Sequence, residues 1–174
     1  MLRHLSRMAS VFPFSKLAQR GPVLRIYAIE HTEPAQFERE FTPGTEVKTI
    51  LDSIREISIE DCAVEIDAHW DLLDHNGEEW KLAPVPVTLA AFGTAFDNEQ
   101  GDHLRIEFGL DAKFLPPAGI EGAMRAGESN IRSLLHLVDE IQRVVKPERR
   151  ALWSESGANF AEVLRRTLGG IHVN

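Results

Sequence analysis

Between residues 61 and 111, apolar and polar side chains alternate along the chain. Cys62, Val64, Ile66, Ala68, Trp70 and Leu72 fall on one side of an extended segment, with Glu65, Asp67, His69 and Asp71 on the other. Period-two alternation marks a strand with one wet face. Asn76-Gly77 follows, a dipeptide that tolerates positive φ and closes tight hairpins, so residues 67–73 are predicted to pair back against residues 78–82. After Pro84, the β-branched and apolar run 85–96 reads as a further strand, and the polar stretch 97–101 turns it round. Residues 103–111 alternate again, with Leu104, Ile106, Phe108 and Leu110 inward and His103, Arg105, Glu107 and Asp111 outward. Short connections between consecutive strands predict an antiparallel meander. Pro84 and Pro86 cannot donate ladder hydrogen bonds, which places their end of the strand at an edge or a bulge.

Upstream, the run from Val23 to Ile29 reads as a first strand and residues 32–44, punctuated by Pro and Gly, as a loop. Thr45 is placed to cap a helix running to about Glu56, with Val47, Ile50, Leu51 and Ile54 on one face. Downstream, the glycines of residues 118–127 read as a connection. A helix then begins at Glu128 or Ser129, its stripe formed by Ile131, Leu134, Leu135, Val138, Ile141 and Val145. Pro147 stops it. Residues 148–168 return to helical spacing through Trp153, Phe160 and Leu164, as one helix or as two capped at Ser154 or Ser156. The predicted fold is therefore α+β: an antiparallel meander of about five strands, with one helix in the N-terminal half and two C-terminal helices packed on one face.

Residues 1–20 differ from the rest, carrying Arg3, Arg7, Lys16 and Arg20 with no acidic residue. Pro13 and Gly21-Pro22 break any helix there. The expected organisation is a basic, mobile N-terminal tail over residues 1–21 and a single α+β domain over residues 22–174. A Ser- and Arg-containing stretch without acids also has the composition of an organelle-targeting segment, the alternative to a cytoplasmic location.

Composition narrows the function classes. Acidic residues outnumber Lys and Arg by 27 to 19, a formal net charge of −8, which disfavours nonspecific attraction to nucleic acid or anionic lipid. Cys62 is the single cysteine, which excludes an intramolecular disulfide and a Cys-x-x-Cys pair and points to a reducing cytoplasm. No run of 18 apolar residues occurs, so no membrane-spanning helix is expected. No Gly-x-Ser-x-Gly, no Gly-Lys-Ser/Thr and no dinucleotide-type glycine pattern is present. The loop at residues 97–102 is rich in oxygen ligands, but a Phe stands where a Ca²⁺ loop needs its closing Glu.

Two functional readings follow. The first is a noncatalytic, soluble interaction module, of the inhibitor or immunity-protein kind, that offers an acidic sheet face to another protein. Its contact residues would be Asp67, Asp71, Trp80, Asp97, Glu99 and Arg105, with no cofactor. Trp80 is chosen because it follows the hairpin, whereas Trp70 and Trp153 read as core. The alternative is a small metal-assisted hydrolase. In it Asp67, His69, Asp71 and His103 would hold a divalent metal ion, an N and O ligand set such ions accept, and His69 with Glu107 would move protons. That reading requires the two polar strand faces to converge beneath a covering loop.

Overall fold

The computed structural model describes residues 1–28, 30, 33–56, 61–96, 98, 101–115, 119–154 and 159–169. Five strands form one antiparallel sheet: β1 (Val23–Tyr27), β2 (Phe37–Glu40), β3 (Ala63–His75), β4 (Trp80–Phe92) and β5 (Leu104–Glu107), in the order β2-β1-β3-β4-β5. Four helices accompany it: α1 (Leu2–Val11), α2 (Val47–Arg55), α3 (Ala123–Val145) and α4 (Phe160–Gly169). The α+β class and the five-stranded antiparallel sheet are as the alternation predicts.

The five strands are not quite the predicted five. The two runs on either side of Pro84 form one strand of 13 residues, paired with β3 without interruption from Ala63↔Phe92 to His75↔Trp80. Residues 80–82 therefore pair with residues 73–75, residues 78–79 lie in the turn, and residues 67–72 pair instead with residues 83–88. The fifth strand is β2, inside the stretch read as a loop; it is short, and Glu has low strand propensity.

The prolines keep their predicted edge character in an unexpected place. Phe92 donates its backbone N–H to His103 O at 3.0 Å, toward β5, so the nitrogens of Pro84 and Pro86, at the same parity, point to that side too. β5 pairs only with residues 88–91, leaving no β5 partner opposite Pro84 and Pro86. The missing donors thus blunt the uncovered part of a central strand.

All four helices contribute to a hydrophobic cluster on one face of the sheet. Leu24, Ile26, Val64, Ile66, Trp70, Leu72, Val85, Val87 and Leu89 meet Ile50 and Ile54 of α2, Ile131 and Leu134 of α3, and Phe160 and Leu164 of α4. The N-terminal segment belongs to this core. Leu5, Met8 and Ala9 of α1 and the following Phe12 are buried in it, and Phe12 packs edge-on against Trp70 at 6.1 Å between ring centroids. In the stretch expected to be a tail, Leu2–Val11 forms an amphipathic helix whose apolar stripe packs on the sheet.

Two further corrections concern the C-terminal half. α3 starts at Ala123, taking in Gly127, which the reading placed in a connection. Its buried stripe uses Leu137 in place of Leu135, which is 47% exposed. Trp153 is not core but 63% exposed, outside any helix. Among the described residues no helix is long and apolar enough to cross a membrane.

Candidate functional site: the open sheet face

The sheet face away from the helices is built from the odd positions of β1, β3 and β5 and the even positions of β2 and β4. Register places Glu40, Val23, Asp67, Thr88 and Glu107 in one row across all five strands. The neighbouring row is Glu38, Arg25, Glu65, Ala90 and Arg105. With Asp71 further along β3, the face carries six carboxylates against two guanidinium groups. Glu38 and Glu107 keep 59% and 60% of their side-chain surface in solvent.

Two ion-pair networks organise these charges. Arg25 reaches Glu38 at 2.6 Å through Nε and Asp67 through Nη1, so a single cation spans β2, β1 and β3. The hydrogen bond to Glu38 chiefly raises the Arg25 proton affinity above its ordinary value; burial opposes it, and the charge of Asp67 adds to the rise. Thr88 Oγ1 donates to Asp67 Oδ1 at 2.7 Å, so both Asp67 oxygens are engaged. On β5, Arg105 forms a fork on Asp102 at 2.8 and 3.0 Å, lies 3.5 Å from Glu107 and sits over the Phe92 ring at 4.9 Å. The Asp102 hydrogen bond is the chief cause of its raised proton affinity. Arg105 thus fixes the end of the β4–β5 connection, a structural role that leaves it little freedom toward a partner.

One end of the face has a roof. Phe96 folds back onto Phe92, with ring centroids 5.9 Å apart, and Ala63, Ala90 and Tyr27 complete a small apolar cluster. Burial, then the charge of Glu65, raise the Tyr27 hydroxyl pKa above its ordinary value. At the other end the chain after α1 forms a strap. Ser15 Oγ and Lys16 N donate to the two oxygens of Asp71, the latter at 2.9 Å, and Ser15 N donates to His69 O at 2.8 Å. The Asp71 carboxylate holds the N-terminal segment against β3, which is why it does not stand ready for a ligand.

This geometry separates the residues of the metal reading. His69 lies opposite Pro86 and His103 beside Phe92, six residues along the same strand, or about 20 Å. His69 and Glu107 are two strands and two residues apart, about 12 Å between Cα atoms by strand spacing. Asp67, His69, Asp71 and His103 do not converge, and neither do His69 and Glu107; correct side-chain parity gave the right face but not proximity. Among the described residues no group of three or more His, Cys, Asp or Glu side chains comes together to hold a metal ion.

Trp80 has a different role from the one expected. Its Nε1 donates to Glu121 O at 2.9 Å, its ring meets His75 edge-on at 5.1 Å, and it supports the turn before α3. Its polar handle is already in use. Asp97 and Glu99 lie outside the described residues.

The alternation already places Glu65 on this face beside Asp67, but Arg25, Glu38 and Glu40 are not legible as members of it. The cross-strand pairing of Arg25 with Glu38 becomes visible only once β2 is recognised as a strand. Comparison with family models, with curated proteins and with solved structures gives no match, so the functional reading rests on this geometry.

Proposed function

We propose that this protein is a noncatalytic binding module that offers the open face of its sheet to a basic protein partner, in the manner of small acidic inhibitor or immunity-type proteins. The observation that carries the reading is the excess of carboxylates on that face, six against two guanidinium groups across five rigid strands. Glu40 and the exposed carboxylates of Glu38 and Glu107, each shared with one guanidinium, stand at the rim, where they steer an approaching cationic surface rather than supply deep affinity. His69 and Glu107 are too far apart for shared acid–base work, which favours binding over catalysis. A cytoplasmic location fits the one buried, unpaired cysteine.

The test is anisotropy of a labelled oligolysine peptide at low and high salt, with wild type and with the double variant Glu38→Lys, Glu107→Lys. A second variant, Glu46→Lys with Glu56→Lys, makes the same change of net charge beside α2. The proposal expects binding to weaken about tenfold for the first variant and to change little for the second. Equal loss in both variants means that net charge alone attracts the peptide, and the reading fails.

A further inference from the structure

Trp153 stands 63% exposed between α3 and α4. Its backbone bridges Asn159, and Leu152 O accepts from Phe160 N at 2.8 Å, so the indole is presented from fixed backbone. Lys146, Arg149 and Arg150 lie within seven residues of it and are exposed. Arg150 donates to Gln142 Oε1, and among the described residues none of the three cations pairs with a carboxylate. An exposed Trp flanked by unpaired cations, in a chain of net charge −8, has the composition of a binding hot spot.

The surface it fits is on the same chain. Leu82, Pro84 and Pro86 are exposed along β4 on the open face, and Leu73 lies directly across from Leu82. This apolar strip adjoins the row that holds Asp67 and Glu107. An apolar floor beside a carboxylate rim is the complement of an indole beside ammonium and guanidinium groups.

We infer that the Trp153 corner of one copy of this chain docks on the Leu82-Pro84-Pro86 strip of a second copy, with Lys146, Arg149 and Arg150 over the neighbouring carboxylates. The inference rests on the open face being a binding surface and makes a second copy one of its partners. Corner and strip are different patches, so the contact is heterologous: made twice it closes a dimer, and made once it leaves free ends that extend a chain.

The experiment is light scattering or sedimentation of the full chain over a concentration series at low and high salt. The weight-average mass is expected to rise above 19.5 kDa with concentration at low salt and to fall back at high salt. Trp153→Ala is expected to weaken association about thirtyfold, and Leu82→Asp comparably. Both sites are exposed, and circular dichroism melts verify that each variant folds. Each variant alone is then monomeric. An equimolar mixture regains a two-chain complex, because Leu82→Asp keeps its corner and Trp153→Ala keeps its strip. A wild type that stays at 19.5 kDa at all concentrations, or a mixture that stays monomeric, overturns the inference. Oligolysine binding to the face of such a monomer leaves the acidic-face reading standing, so the two failures are distinguishable.

Discussion

Asn130 is 2% exposed, yet its side chain joins two elements. Oδ1 accepts from Leu73 N at 2.9 Å, while Nδ2 donates to Leu73 O at 2.8 Å and to Lys113 O at 2.7 Å. It pairs β3 where β1 has ended, as a neighbouring strand would. Asn130→Ala leaves three half-buried backbone groups without this partner and is expected to cost about 1–3 kcal/mol in urea unfolding. Asn130→Asp keeps the shape but sets a carboxylate against two carbonyls, and is expected to be no better. Cys62 gives a pH-dependent readout. Burial raises its thiol pKa above the ordinary 9.0, so the folded state holds the proton more tightly than the unfolded chain. This contribution is complete below 9.0 and is lost as pH rises through the higher folded value. Stability is therefore expected to decline above pH 9.0, and Cys62→Ala to decline less steeply over the same range. Residues of this kind divide in legibility. Cys62 was readable from strand parity, whereas Asn130, a polar side chain within an apolar stripe, reads as the wet side of a helix. Trp153 is exposed and Trp80 is engaged with the turn before α3, neither as the spacing predicts, because exposure of an aromatic depends on which elements reach it.

At the scale of elements, α1 is the largest departure from expectation. Four cations without an acid, followed by Pro13 and Gly21-Pro22, read as a tail because composition dominated the spacing of Leu5, Met8, Ala9 and Phe12. Those four are the face that meets the sheet. Leu5 is 0% exposed, so Leu5→Ala is expected to cost about 2–5 kcal/mol in chemical denaturation, while exposed Arg3→Ala stays within about 0.5 kcal/mol. A detached tail would leave both variants unchanged. Strands β3, β4 and β5 were legible because alternation and the Asn-Gly turn are local signals. β2 was not: four residues give two full periods at most, and its stabilisation comes from long-range pairing with β1. The start of α3 was obscured in the same way. Gly122 adopts a positive φ of 77° at the helix start, while Gly127 sits buried inside α3, where helix propensity argues against a glycine.

For the molecule as a whole, a face with excess carboxylate has a consequence for stability that is independent of any partner. Like charges on adjacent strands repel, and ion pairs such as Arg25 with Glu38 and Asp67 offset only part of this. A face selected for binding rather than for stability should therefore gain when its excess charge is removed. Glu40 is the cleanest position: exposed, opposite Val23, and without an ion pair among the described residues. Glu40→Lys places a cation in the row of Asp67 and Glu107 and is expected to stabilise the fold by about 0.5 kcal/mol at low salt, in calorimetry or urea unfolding. The gain should vanish at high salt, where the screening length falls well below the distance between strands two apart. The same substitution should weaken oligolysine binding. Stability gained and affinity lost at one residue, both erased by salt, would mark the face as charged for a partner. A loss of stability instead would mean that Glu40 serves the fold, and that the carboxylates are arranged for each other rather than for an incoming cation.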